Sequence, residues 1–169
     1  HLGVTGLFEV QFDITDLKRR EYEAIKMTDE IKEKQHEAEI ANIEMRKEKA
    51  LMDALLDTVP ELIYFKDLES KFIRTSKSML KHFGLQKSEE LLGKSDFDFY
   101  AEEHSRPAYE DEQRIIKTGK AIIDLEENEV KEDGTSRWVN TTKMPLLDAD
   151  GKIFGTFGIT KDISHLKKM

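Results

Sequence analysis

At 169 residues the chain has room for one domain and an additional element. Its hydrophobic fraction is low (38%) and its charged fraction high (37%), the balance of a long solvated helix beside an ordinary core. A net charge of −8 without a dense basic patch points away from nucleic acid. The absence of cysteine excludes disulfides, thiolate zinc sites and Fe–S clusters, and fits a reducing compartment.

Residues 3–13, "GVTGLFEVQFD", alternate as a strand does, with Val4, Phe8, Val10 and Phe12 on one side. Thr15 is then a helix N-cap with Asp16 in the first turn. The same phrase returns at the other end of the chain: "GLFEVQFDITDLKRR" lies over "GTFGITKDISHLKKM", with Asp13, Ile14 and Thr15 on Asp162, Ile163 and Ser164. A match of that density indicates a repeated unit.

From Leu17 to Asp57 there is neither Gly nor Pro, and helix formers dominate. Such a helix spans roughly 60 Å. A seven-residue ladder runs Leu17, Ala24, Ile31, Ala38, Met45, Met52, and its companion rung alternates polar and apolar (Arg20, Met27, Lys34, Ala41, Glu48, Leu55). This predicts a dimeric coiled coil of modest strength. The competing reading is a solvated helix in a monomer, which is marginal in water on its own. No apolar run approaches the ~18 residues of a membrane span.

Residues 58–166 carry the pattern of an α+β domain. "ELIYFKD" and "KFIRTS" read as strands around a Leu68–Ser70 turn. "KSMLKHFGL" and "KSEELLGKS" read as short helices closed by Gly84 and Gly93, the second capped by Ser88. "AEEHSRPAYEDEQRIIKTG" is a longer helix ending at Gly119, with Pro107 expected in the first turn of its main body. Three strands follow, "AIIDLEENEV", "SRWVNTTKMPLL" and "KIFGTFGIT", with turns at Asp133-Gly134 and Asp150-Gly151. The expected fold is a five-stranded antiparallel sheet with helices on one face.

Within that order, "LLDTVPELIYFKDLESKFIRTS", "GKSDFDFY", "DEQRIIKTGKAI" and "DGTSRWVNTTKMPLLDADGKIFGTFGITKDIS" resemble a PAS domain over nearly all of 55–166. Asp162-Ile163-Ser164 resembles the family's Asp-Ile-Thr exit motif, with Ser in place of Thr. The resemblance implies four segments. Residues 1–16 are the last strand and exit motif of an upstream PAS domain, and 17–57 a signalling helix. Residues 58–166 are a complete PAS domain, and 167–169 start a downstream helix. It implies a sensor module of a cytoplasmic bacterial signalling protein whose parent could be membrane-anchored. The output domain of such a protein is a histidine kinase, a diguanylate cyclase or phosphodiesterase, or a chemotaxis transducer.

The family holds ligands between the inner sheet face and the helices. Covalent flavin and cysteine-linked chromophores require a cysteine and are excluded. Haem is not expected, because His104 falls about a turn before the ligand position; the cofactor stays unknown. In "SRWVNTTKMPL" the alternation puts Trp138, Asn140, Thr142 and Met144 on one face and Arg137, Val139, Thr141, Lys143 and Pro145 on the other. The resemblance implies that the Trp face is the outer one, which turns Thr141 and Lys143 inward. A buried ammonium needs a carboxylate, and Asp96, Asp98 and Glu126 or Glu127 are candidates. Two readings of this group stay open. One is an internal ion pair fixing sheet to helices. The other is a small anionic metabolite held by Lys143 with Tyr64 or Arg74. Convergence of Asp96, Asp98 and Glu126 on a divalent cation has no supporting spacing.

At the exit, Asp162, Ile163 and Ser164 are expected to relay signal, with Asp162 contacting Arg137 or Lys143. The expected partners are a second copy, through 17–57 and the outer sheet face, and a small molecule. Neither nucleic acid nor membrane is expected to contact this segment. No phosphate loop, nucleophile motif or metal cluster invites catalysis. The alternative to a ligand sensor is a dimerisation and relay module whose cavity is filled by its own side chains.

Overall fold

The computed structural model describes the backbone of residues 3–131 and 133–168, with side chains from Ile14 onward. It divides into two compact units, His1–Leu51 and Met52–Met169.

The first unit is helical. Helix α1 (Gly3–Thr58) extends into the second unit and is uninterrupted, as the absence of Pro and the run of helix formers dictate. It also continues through 3–13, where the alternation predicts a strand. A helix satisfies its own backbone hydrogen bonds without a partner strand. Asp13, Ile14 and Thr15 consequently lie inside a helix rather than at a strand-to-helix junction, and Thr15 is not an N-cap. The ladder side chains Leu17, Ile31 and Met45 are all exposed, and so are Tyr22, Ile25 and Met27. No helix of the described residues is long and apolar enough to cross a membrane.

The second unit is the expected α+β domain. β1 (Leu62–Asp67) and β2 (Phe72–Thr75) form a hairpin; α2 (Lys77–His82) and α3 (Glu102–Thr118) follow; β3 (Ile122–Val130), β4 (Ser136–Leu147) and β5 (Ile153–Asp162) close the sheet, and α4 (Ser164–Lys167) leaves it. The strand order is β2-β1-β5-β4-β3, antiparallel throughout. Placing β5 beside β1 brings the domain's exit next to the strand where it begins.

The predicted punctuation is largely present. Gly119 ends α3 in a left-handed conformation that a side chain disfavours. "KSEELLGKS", however, forms a single 3-10 turn at Ser88–Glu90 rather than a helix, held by Glu90 accepting from the Gln86 and Lys87 amides. Pro107 sits within α3 rather than in its first turn, because the helix begins at Glu102.

β4 alternates as expected: Val139, Thr141 and Lys143 are buried, while Trp138 and Met144 are exposed. The inner face carries Leu62 and Tyr64 into a core with Phe72, Met79 and Leu91. α3 packs across β3, β4 and β5 on this side, and α2 against β1. The outer face bears a stacked Phe65–Phe157 pair (centroids 5.8 Å apart) beside exposed Ile159, Met144 and Trp138.

Gly155 and Gly158 on β5 make close approaches possible. A Cβ at Gly158 would collide with the Tyr64 ring, and one at Gly155 with the Lys66 carbonyl oxygen. The tyrosine can therefore lie across β5 toward the space under α3.

Candidate functional site

Leu62, Tyr64 and Lys66 alternate onto the inner face of β1, and Val139, Thr141 and Lys143 do the same on β4. Ser105, Ala108, Glu112 and Ile115 form the buried stripe of α3 at helical spacing. One glutamate in an otherwise small and apolar stripe, facing two lysines, makes the interface between sheet and helix ionic.

Lys66 is the centre of that interface. Its ammonium, 1% exposed, donates to Asp96 Oδ2 and to Glu112 Oε1, each at 2.7 Å. It also lies 4.7 Å from the Phe72 ring centroid. Burial alone would lower the lysine's pKa, but the two carboxylates more than offset this and raise it. Glu112 is held above the usual carboxylate range by burial, against the pull of Lys66. Three charges removed from water require this pairing, since an unpaired one costs several kcal/mol.

Lys143 is 2% exposed, and its Nζ finds no hydrogen-bond acceptor among the described residues. The nearest carboxylate oxygen, Asp111 Oδ2, stands at 3.6 Å, and Asp111 accepts a 2.6 Å bond from Arg114. Lys143 faces a cavity of about 20 Å³, lined by Tyr64, Tyr100, His104, Glu127, Glu129 and Thr160 among others. That volume admits one or two waters as it stands. Burial pushes the Tyr64 and Tyr100 phenols well above their ordinary pKa, so both remain protonated donors.

A second ionic group runs from this cavity to the exit. Arg137 Nε donates to Glu129 Oε1 at 2.7 Å, and His82 Nε2 lies 3.3 Å from the same oxygen. Burial disfavours the Glu129 carboxylate, but His82 and Arg137 hold its pKa at about 2. A guanidinium nitrogen of Arg137 lies 3.7 Å from Asp162. Asp162 accepts from the Ser164 amide at 2.9 Å, which keeps its pKa low. The Ser164 hydroxyl in turn accepts from the Trp138 amide at 3.0 Å. Of the two bases expected near Asp162, Arg137 fills the position and Lys143 points into the cavity.

The structure thus brings Tyr64, Asp96 and Lys143 to one cavity, with Thr141 beside them in a 3.2 Å contact with Thr160. Asp96 is engaged by Lys66 rather than by Lys143. Three expected residues lie elsewhere. Arg74 projects from β2 and pairs with Asp53. Asp98 is exposed and caps its own 3-10 turn by accepting from the Ser95 amide. Glu126 faces outward, because its neighbour Glu127 takes the inward register, and pairs with Lys167 at 2.6 Å. Asp96, Asp98 and Glu126 do not converge, and no group of three metal-ligating side chains is present among the described residues. Lys66, Glu112 and Glu129 are additions of the structure. The signal for Lys66 lay in the β1 alternation, two residues after Tyr64.

A family model described as the PAS fold matches residues 56–168. A diguanylate cyclase of Vibrio cholerae is 22% identical over 121 residues, 71% of this chain and 37% of that protein. The methanogenesis regulatory histidine kinase FilI of Methanothrix harundinacea is 27% identical over 114 residues, 68% of this chain and 12% of that protein. The chain therefore spans well under half the length of either curated relative. Among solved structures, VqmA of Vibrio cholerae in complex with a ligand and DNA superposes with a TM-score of 0.58. It is 25% identical, over 65% of this chain and 49% of that one.

Proposed function

The chain belongs to the PAS-fold family, and from that premise we propose that it is a non-catalytic sensor and regulatory module of a multidomain signalling protein. It binds a small ligand in the cavity beneath α3 and relays occupancy through paired helices to an output domain, acting in the cytoplasm without contacting nucleic acid. The two curated relatives, a diguanylate cyclase and a histidine kinase, support an output of one of those kinds. Ligand binding by VqmA supports a ligand-sensing use of the fold.

The observation that carries this reading is the continuity of Glu129, Arg137 and Asp162. Glu129 lines the cavity, Arg137 bonds it, and Asp162 anchors the first amide beyond Ile163. A ligand that draws on Glu129, or shifts β3 against β4, moves Arg137 and changes how α4 starts. A bias of a few kcal/mol is enough to redistribute two helix packings. The exposed ladder on α1 and the apolar outer sheet face are the surfaces through which two copies pair. Residues 1–16 correspond in this reading to the last strand and exit motif of an upstream PAS domain.

The small cavity favours a second reading, a ligand-free dimerisation and relay module. Native mass spectrometry of the purified chain separates the two. A dimer carrying a small-molecule mass supports the sensor, and a bare dimer supports the relay module. A bare monomer at high micromolar concentration contradicts both.

A further inference from the structure

We propose that the ligand of this cavity is a small, net-neutral, bipolar molecule, with an oxygen acceptor toward Lys143 and a nitrogen-borne donor toward Glu127. The proposal rests on the reading of the cavity as a ligand site and adds the chemistry of what fills it.

The first support is Lys143 itself. It is nine-tenths buried or more, it points into the cavity, and its ammonium lacks a hydrogen-bonded acceptor among the described residues. A buried ammonium left in that state is costly, and the group that relieves it must bring an oxygen or other acceptor. Asp111, the nearest carboxylate, is already drawn outward by Arg114. The lysine is therefore built for an acceptor that the chain does not itself supply at bonding distance.

The second support is the charge of the walls. Asp96 and Glu129, which line the cavity, are each paired with a cation, Lys66 and Arg137 respectively. Glu127 remains. It lines the same cavity, is half-buried, and has no cation bonded to it among the described residues. A simple anion arriving at Lys143 would stand near the unpaired Glu127 carboxylate in a low-dielectric space. A molecule that carries its own donor or cationic nitrogen answers Lys143 and Glu127 together. Tyr64 and Tyr100, held protonated, offer hydroxyl donors alongside.

The third consideration is size. The cavity is about 20 Å³, so the ligand is small and enters with movement of flexible wall residues. Met79, a wall residue with an unbranched and adaptable side chain, is suited to that movement.

The test is binding of matched probes to the full chain by ligand-observed NMR at millimolar concentration. Glycine, β-alanine and γ-aminobutyrate carry both groups at increasing separation; acetate carries only the acceptor, and methylamine only the donor. At least one of the three bipolar probes binds, about tenfold or more tightly than acetate or methylamine. Lys143→Met and Glu127→Gln each weaken that binding by about tenfold. Glu127 is half-buried and outside the core, so its variant keeps the fold even if the lysine variant does not. Acetate or methylamine binding as well as every bipolar probe overturns the bipolar class and leaves the ligand site standing. If none of the five binds and Lys143→Met stabilises the domain, the ligand site itself is overturned.

Discussion

Replacing Lys66 with methionine isolates the ionic contact between sheet and helix. The lysine bonds Asp96 and Glu112 at 2.7 Å each, so the two carboxylate oxygens lie at most about 5.4 Å apart. Without the ammonium, two charges at that separation repel by at least about 3 kcal/mol at an effective dielectric constant near 20. The variant can avoid the repulsion by taking up a proton. At pH 7 this costs about 3.4 kcal/mol for a carboxyl with an ordinary value of 4.5. Both routes give a destabilisation of about 3 kcal/mol at neutral pH, within the range for a broken buried ion pair. The proton route becomes nearly free at pH 4.5, where the loss falls to about 1 kcal/mol. Urea unfolding followed by fluorescence of Trp138, the sole tryptophan, measures both. A loss below 1 kcal/mol at pH 7, or one that is the same at both pH values, refutes the reasoning.

Two other perturbations have defined outcomes. Glu129 is held at about 2 against an ordinary 4.5, so it binds fewer protons folded than unfolded. Its contribution, on the order of 3 kcal/mol, is present above pH 4.5 and disappears as pH falls toward 2. Acid titration of wild type and Glu129→Gln should show this limb only in wild type, and parallel curves would contradict it. Gly155→Ala places a Cβ against the Lys66 carbonyl, a backbone atom that cannot rotate away. It should lower stability by about 1–3 kcal/mol in thermal or urea unfolding, and an unchanged midpoint would show that β1 and β5 can separate at no cost.

The antiparallel sheet was legible because alternation and turn residues agree over β4 and β5, and the same alternation aimed Lys143 inward. Helix α1 was legible from Leu17 onward because nothing in that stretch opposes a helix. Over residues 3–13 the alternation reads as a strand whereas the backbone is helical, because alternation alone does not fix strand pairing. The carboxylates near Lys143 were assigned by nearness in sequence pattern. The pairing of Lys66 with Glu112 joins residues 46 positions apart, and only the packing of α3 across the inner face of the sheet decides it. Asp96 and Asp98 differ by two positions on one 3-10 turn, and the turn sends the first inward and the second to the surface. Glu126 and Glu127 differ by one, so the register of β3 on β4 determined which faced the cavity.

Communication between cavity and exit is tested most directly by amide hydrogen exchange of residues 163–167 in wild type and Glu129→Gln. Substituting the cavity-wall carboxylate loosens Arg137 and, through it, Asp162. The account predicts faster exchange at Ser164 and Leu166, with the amides of β1 and β2 unchanged. Identical exchange at the exit in the two proteins, with the fold intact, would contradict it.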